Sequence, residues 1–194
     1  MKNYYNMDLQ QRKNENMQEK QSIASTVVSL VNDGDTIFIN AGTTTYFTAL
    51  ELKIFKNLKI ITNSIAAAME LTDIPSYHVQ LLGGSINPQY SFTYGDLALK
   101  ELSRFKADKV ILSVDGICPQ SGLTTYHAEE AELSKTMIER SRTTIIAADY
   151  TKIGHESFLK IADISAASYL VTNKRADSSL LEDIKDLGIS IITD

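Results

Sequence analysis

Three consecutive threonines, Thr43, Thr44 and Thr45, directly follow Gly42 and a short apolar run at residues 37–39. This pattern predicts a buried strand, a tight turn and the start of a helix. Gly42 allows the backbone to approach a ligand closely, and the first N–H groups of the helix, together with the threonine hydroxyls, can bind an anion. Threonine is also an ordinary helix cap, so a helix that binds no ligand would show the same pattern.

Four further polar turns follow predicted strands. They are residues 62–64, 83–84, 115–116 and 149–152. In parallel α/β sheets, ligands bind outside the carboxyl ends of the strands. The five turns are therefore expected to meet along one edge of the sheet and to form a pocket.

The elements that position these turns alternate between strands and helices. Strands are predicted near residues 37–39, 58–61, 78–82, 110–114, 143–148, 169–172 and 189–192, and helices near residues 17–33, 45–52, 65–71, 95–105, 127–141 and 178–187. Residues 85–93 and 122–125 are predicted to be loops. The strands are continuous runs of β-branched residues and leucine, which are typical of strands buried on both faces. The predicted fold class is α/β, with a mostly parallel sheet flanked by helices.

Composition limits the class of protein. The 194 residues fit one domain, and no apolar run approaches the roughly 20 residues that a membrane-spanning helix needs. The polar segment at residues 1–20 does not resemble a secretory signal. The chain has one cysteine, Cys118, and its three histidines lie far apart, so neither an internal disulfide nor a zinc site is expected. These features favour a reducing cytoplasm.

Charge and the first residues indicate how the chain is organised. The formal net charge is −5, whereas proteins that bind nucleic acid through their own surface usually carry a basic face. Residues 1–16 are polar and predict a linker or leader, and residues 17–194 form the predicted domain. This chain by itself is therefore expected to be a poor DNA binder.

The order of the motifs resembles the effector-binding domain of DeoR-family transcriptional repressors. The resemblance covers about residues 12–171, and the order of eight motifs is more specific than any one of them. The motifs are GDTIFI with AGTTT (residues 34–45), ITNS (61–64), LGG (82–84), ADK (107–109), VDGI (114–117), GLTT (122–125), EEA (129–131) and ADYTKIG (148–154).

This resemblance implies a sensor of a phosphorylated sugar or a related metabolite, with a fold similar to that of ribose-5-phosphate isomerase, glucosamine-6-phosphate deaminase and the CoA transferases. It implies a homo-oligomer without a cofactor or metal. It also implies operator binding through an N-terminal winged helix-turn-helix, which is absent from this chain. Residues 11–20 resemble the linker that joins the two domains in the family. Asn40 and Ala41 stand where the family tends to have Asp-Ser, a difference expected to alter sugar selectivity.

The resemblance also implies which residues bind the effector. Thr43, Thr44 and Thr45, preceded by Gly42, would donate hydrogen bonds to the phosphate. Lys152 would supply the compensating positive charge, although a lone lysine in a loop is usually only solvated.

Sugar hydroxyls would be bound by residues from the other turns. Asp115, next to Gly116, and Glu129 would accept hydrogen bonds from them. Glu129 could instead be an acid that stabilises the helix N-terminus, and Glu130 could replace it in the site. Further candidates are Asn63, Ser64, Thr124, Thr125 and Tyr94. Alternatively, the sole role of Ser64 could be to cap the next helix. Tyr94 belongs with the loop at residues 85–93, which is a candidate lid.

Two alternatives stay open. A sugar-phosphate isomerase or deaminase would have a similar fold, but those isomerases carry a second aspartate where this chain has Cys118, and a lysine where Gln120 and Ser121 stand. General acid–base catalysis needs titratable groups near the moving protons, so two expected groups are missing, while Glu129 remains as a possible base. Binding without turnover is the better fit, and no enzymatic activity is expected. The second alternative is a structural α/β domain without a ligand.

Overall fold

The computed structural model describes residues 7–194; residues 1–6, the start of the predicted leader, lie outside the described residues. Its largest sheet has seven strands, all parallel, in the order β12-β11-β9-β6-β1-β2-β3. These strands are β1 (Thr36–Ile39), β2 (Lys59–Thr62), β3 (His78–Leu81), β6 (Ala107–Leu112), β9 (Ser141–Ala147), β11 (Tyr169–Thr172) and β12 (Ser190–Thr193). The predicted fold class, a mostly parallel sheet flanked by helices, is confirmed.

Helices cover both faces of this sheet. The α-helices in the described residues are α1 (Leu9–Asn14), α2 (Met17–Val27), α3 (Thr43–Glu51), α4 (Ile65–Leu71), α5 (Asp96–Leu102), α6 (Ala128–Glu139) and α7 (Ser178–Asp186). On β1, Ile37 and Ile39 pack in a cluster with α2, α3 and α4, whereas Phe38 faces a second cluster with α5, α6 and α7. This alternation follows from the two-residue period of a strand, and it explains why β1 is apolar on both faces.

The order of the strands reverses its direction beside β1. The chain passes from β1 outward to β2 and β3, and then returns to place β6 on the other side of β1. The segments that follow β1 and β6 therefore leave the sheet toward opposite sides. Such a switch point opens a crevice at the carboxyl ends of the two strands.

Two small antiparallel sheets differ from the sequence-based expectation. The predicted loop at residues 85–93 contains a hairpin of β4 (Ser85–Asn87) and β5 (Phe92–Tyr94). The predicted loop at residues 122–125 is β8 (Gly122–Thr125), paired with β7 (Gly116–Cys118) and with β10 (Leu159–Ala162). These strands lack the continuous runs of β-branched residues and leucine that identify the strands of the large sheet, and their pairing is fixed by tertiary contacts.

The N-terminal segment packs against the domain. Asp8 begins α1 with a capping box, in which its carboxylate accepts a hydrogen bond from the Gln11 backbone N–H and the Gln11 side chain accepts one from the Asp8 N–H. This cap stabilises a helix within the segment that the sequence predicted to be a leader. The next helix, α2, gives way to a turn of 3₁₀ helix at Val28–Leu30, earlier than predicted. None of the helices described is both long and apolar enough to span a bilayer.

Candidate functional site

A cavity lies at the switch point, where β1 and β6 end. It has a volume of about 550 Å³, including the open space at its mouth. Its walls come from the turns after β1, β6 and β9, from β8 and α6, and from the N-terminal segment. The lining residues are Leu9, Arg12, Lys20, Ala41, Gly42, Thr43, Thr44, Tyr90, Ser113, Val114, Asp115, Thr125, Glu130, Ala148, Asp149 and Lys152.

The first turn of α3 forms one wall of the cavity. Its cap residue, Gly42, has no side chain that could bond to the first N–H groups of the helix. A Cβ atom at this position would lie 1.8 Å from Ser113 Oγ, so the close approach of the turns after β1 and β6 requires glycine. Thr43 and Thr44 line the cavity beside it. A helix N-terminus of this kind attracts an anion through its N–H groups and its dipole.

Thr45 supports this turn from behind. Its side chain is fully buried, and its hydroxyl contacts the carbonyl oxygens of Asn40 at 2.9 Å and Gly42 at 3.1 Å. Thr45 does not line the cavity. It holds the backbone that carries Thr43 and Thr44.

Three cationic side chains line the cavity. Lys152 comes from the 3₁₀ turn at Tyr150–Lys152 after β9, Lys20 comes from α2, and Arg12 comes from α1. Lys20 is 1% exposed, and its ammonium donates a hydrogen bond to the Arg12 carbonyl oxygen at 2.6 Å. The pKa of Lys20 is lowered to about 8, chiefly by burial; Asp149 raises it, and the neighbouring Lys152 and Arg12 lower it.

Arg12 reaches into the cavity from α1. Its guanidinium lies 4.3 Å from the centre of the Tyr90 ring, donates a hydrogen bond to the Tyr90 hydroxyl at 3.3 Å, and lies 3.9 Å from the Asp115 carboxylate. Arg12 is 8% exposed and Tyr90 is 5% exposed. A guanidinium stacked on an aromatic ring loses less on burial than an isolated charge does.

Two acids on the opposite wall share a threonine. The Thr125 hydroxyl lies 3.1 Å from Asp115 Oδ2 and 3.0 Å from Glu130 Oε2. Burial, and then the charge of Asp115, raise the pKa of Glu130. One hydroxyl hydrogen cannot serve two carboxylates. We therefore expect a protonated Glu130 to donate to Thr125, which in turn donates to Asp115.

Several predicted site residues lie behind the cavity and support its walls. The Asn63 side chain accepts a hydrogen bond from the Ala41 N–H at 2.9 Å, and Ser64 caps α4 by accepting one from Ala67. The Thr124 hydroxyl lies 3.2 Å from the Gly116 carbonyl oxygen, beneath the lining residue Asp115. These residues fix the backbone of the turns and do not line the cavity.

Two predicted residues lie away from the cavity. Tyr94 lies in β5, where its ring packs edge-on against Phe92, and Tyr90 of the same hairpin takes the place in the wall. Glu129 is exposed, and the adjacent Glu130 faces the cavity instead. The predicted residues that the structure brings together in the lining are Gly42, Thr43, Thr44, Asp115, Thr125 and Lys152.

The sequence-based prediction of the site named Glu130 only as a replacement for Glu129, and it omitted six other lining residues that carry side chains of functional interest or close the wall. They are Leu9, Arg12, Lys20, Tyr90, Ser113 and Asp149. Asp149 and Ser113 stand at predicted strand ends, so the same rule could have included them. Arg12 and Lys20 gave no such signal, because their positions depend on how the N-terminal segment folds back.

Comparison with protein families identifies the domain. A model of the DeoR C-terminal sensor domain matches residues 15–174. The chain belongs to this family. The DeoR sensor domain that the ordered motifs predicted is thus confirmed over most of the chain.

Among curated proteins, similar relatives of this DeoR sensor domain are transcriptional repressors. The HTH-type transcriptional repressor GlcR of Bacillus subtilis is 30% identical over 175 residues, which are 90% of this chain and 67% of the relative. The HTH-type transcriptional repressor CsqR of Escherichia coli is 32% identical over 187 residues, 96% of this chain and 72% of the relative.

Solved structures share the fold. A D-ribose-5-phosphate isomerase in complex with phospho-erythronic acid superposes with a TM-score of 0.52 at 16% identity. The match covers 71% of the present chain and about half, 53%, of the isomerase chain. At this identity the similarity concerns the fold of the DeoR sensor domain alone.

Proposed function

We propose that the cavity binds a phosphorylated sugar, or a related metabolite, and that occupancy controls operator binding by an attached helix-turn-helix domain. The single observation that carries this proposal is the meeting of Gly42, Asp115 and Lys152 in the wall of one cavity. Residues far apart in the sequence contribute a helix N-terminus, a carboxylate and a cation. This combination suits a ligand with an anionic end and a hydroxylated end.

The phosphate is assigned to the first turn of α3. Backbone N–H groups and the hydroxyls of Thr43 and Thr44 donate hydrogen bonds to its oxygens, and Lys20 and Lys152 balance its charge. Charge-assisted hydrogen bonds of this kind are about twice as strong as neutral ones. Burial of Lys20 strengthens the interaction further, because water screens it little.

The sugar hydroxyls are assigned to the opposite wall. Asp115 accepts hydrogen bonds from them, and Thr125 and Glu130 can donate as well as accept. A wall that contains one ionised and one protonated acid can match both the donor and the acceptor of a hydroxyl group. In this proposal Glu130 takes the place that the sequence-based prediction gave to Glu129.

Binding without turnover is the proposed outcome. The similar isomerases carry additional titratable groups at the position of Cys118 and where Gln120 and Ser121 stand. These residues lie in the β7–β8 hairpin and do not line the cavity. Isomerisation requires an acid and a base within hydrogen-bond reach of the moving protons. The repressor relatives support the same conclusion.

Occupancy is proposed to act through a population shift in a homo-oligomer. The effector would favour one of two arrangements of the subunits, of which only one can hold the attached DNA-binding domains on the operator. The operator is thus a partner of the attached domain, and the cavity acts on it only through the arrangement of the subunits.

Calorimetric titration against a panel of pentose, hexose and triose phosphates tests the proposal. Each phosphorylated compound is paired with its dephosphorylated form, and at least one phosphate ester is expected to bind much more tightly than its partner. A coupled assay on the same panel should detect no conversion. If no compound of the panel binds, the proposal is wrong. If a bound compound is converted, the result favours an isomerase or deaminase.

A further inference from the structure

The N-terminal helix α1 forms part of the cavity wall although it is only six residues long. Leu9 and Arg12 lie three positions apart, hence on the same face of the helix, and both line the cavity. A helix of this length has almost no stability by itself in water. Its position therefore depends on contacts with the domain.

One of these contacts ties α1 to α2: the Lys20 ammonium donates a hydrogen bond to the Arg12 carbonyl oxygen at 2.6 Å. Outside the cavity, the Leu9 N–H donates to the Gln89 carbonyl oxygen at 3.0 Å, and the Lys13 ammonium lies 3.2 Å from the centre of the Tyr46 ring. Inside the cavity, Arg12 contacts Tyr90 and Asp115 as described above. The contacts inside the cavity involve the same side chains that face the ligand.

The junction between α1 and α2 has the geometry of a hinge. Glu15 is extended, and Asn16 adopts φ 50° and ψ 41°, the left-handed conformation that is uncommon for residues other than glycine. The Asn16 side chain makes no capping bond to α2. A change at these two residues can move α1 while α2 stays packed on the sheet.

Charge makes the closed position of α1 dependent on the ligand. With α1 in place, Arg12 joins Lys20 and Lys152 around a cavity that Asp115 and Asp149 also line. Burial lowers the pKa of Lys20 and Asp149 raises it, whereas Lys152 and Arg12 each lower it, so bringing Arg12 beside the two lysines has a cost. A dianion in the cavity would offset that cost.

We propose that α1 is a hinged strap that is held closed over the cavity by an anionic ligand and is released when the cavity is empty. This inference rests on the anion site proposed above and adds the element that responds to its occupancy. The strap swings about Glu15 and Asn16.

Thermodynamic linkage gives the strap a distinctive consequence. If the anion stabilises the closed strap, then any contact that holds the strap closed must also raise the affinity for the anion, by at most the factor by which that contact favours closure. This holds even for a contact that never touches the ligand. Lys13, which packs on Tyr46 outside the cavity, provides such a contact.

Hydrogen–deuterium exchange with inorganic phosphate as the probe tests the strap. Phosphate is expected to slow amide exchange in residues 9–16 by at least about fivefold. A peptide from α7, on the opposite face of the sheet, should exchange at an unchanged rate. Calorimetry on the same samples establishes whether phosphate binds.

A matched pair of lysine variants tests the linkage. Lys13→Ala is expected to speed exchange in residues 9–16 and to weaken phosphate binding by about threefold, the size of an exposed cation–π contact. Lys53→Ala is the control, because Lys53 is a surface lysine outside α1 whose ammonium lies 2.7 Å from the Glu70 carboxylate. This control should leave the exchange rate of residues 9–16 and the phosphate affinity unchanged.

The outcomes separate the two proposals. Slower exchange in α1 with phosphate, together with weaker binding in Lys13→Ala alone, supports the strap. Phosphate binding with unchanged exchange in α1 overturns the strap and leaves the anion site standing. Absence of phosphate binding overturns the anion site, and the strap with it.

Discussion

The two edges of the seven-stranded sheet arrange their charges in different ways. At the amino ends of the strands, two ion pairs are found: Lys109 lies 2.5 Å from Asp35, and Arg142 lies 3.3 Å from Asp108. Asp108 also accepts a hydrogen bond from the Thr36 N–H at 3.0 Å. These pairs link neighbouring strands, and their partners are all within the protein.

At the carboxyl ends, cations are in excess. Arg12, Lys20 and Lys152 surround the cavity with Asp115 and Asp149, and burial raises the pKa of Glu130, which favours its protonated form. The proposed function assigns different roles to the two edges. The ion pairs at the amino edge join neighbouring strands, whereas the cations at the carboxyl edge are proposed to bind an external anion.

The largest expected effect comes from closing the cavity. In Gly42→Val the new side chain would overlap Ser113, so the turn must shift, and phosphate affinity is expected to fall about a hundredfold, a penalty typical of overpacking. Isothermal titration measures the affinity, and circular dichroism checks the fold.

Glycine at the opposite edge supplies the control. Gly34, just before β1, has φ +82°, but a Cβ there would meet no atom within 4 Å. Gly34→Val should therefore cost about 1–2 kcal/mol of stability through backbone strain and leave phosphate affinity unchanged. A folded Gly42→Val protein that binds phosphate normally would contradict the assignment of the site.

The next largest effects are expected from replacing one lysine at each edge of the sheet. Lys152→Ala is expected to weaken the binding of phosphate esters by at least about tenfold and to leave the fold intact, because it removes a charge that faces the ligand. Titration calorimetry with the tightest ester of the panel measures this loss.

The corresponding change at the amino edge should lower stability and leave the affinity for phosphate esters unchanged. Lys109→Ala leaves Asp35 largely buried without its partner, and we expect a loss of about 3 kcal/mol in the free energy of unfolding at unchanged affinity. Denaturant unfolding and calorimetry on both variants separate the two roles. Equal affinities in the two variants would remove Lys152 from the site.

The strand ends are predictable from the sequence because the information is local. A buried run followed by a polar turn fixes the end of a strand, and parallel strands bring those ends to one edge. The types and order of the residues are therefore enough to place Gly42, Asp115 and Lys152 together. The same local information locates α4 at Ile65–Leu71 and β11 at Tyr169–Thr172 with the observed bounds.

The rest of the site depends on contacts that are distant in the sequence. Arg12 is held in the cavity by Tyr90, which lies 78 positions away in the sequence. The residues next to Arg12 do not reveal this contact, and the polar segment around it therefore resembles a leader. The choice between Glu129 and Glu130 depends on where α6 begins, because one residue turns a helix by about 100°. Boundaries of this precision are set by tertiary packing and not by composition.

The smallest expected effect is a dependence of anion binding on pH at the carboxyl edge. Lys20 has a lowered pKa of about 8, so its positive charge is present below that pH and is lost as the pH rises through it. Ionisation of Glu130 from its raised pKa adds negative charge, which acts in the same direction. Sulfate affinity should therefore fall about fivefold between pH 7 and pH 9. Sulfate is the suitable probe because its own charge is constant in this range.

Lys20→Arg separates the two contributions to this pH dependence. A guanidinium keeps its charge throughout the range, so the variant should retain only the smaller decline that comes from Glu130. Lys20→Arg combined with Glu130→Gln should bind sulfate equally at pH 7 and pH 9. A full decline in Lys20→Arg would show that the buried ammonium does not control the anion site. The excess of positive charge at this edge would then have to come from Arg12 and Lys152 alone.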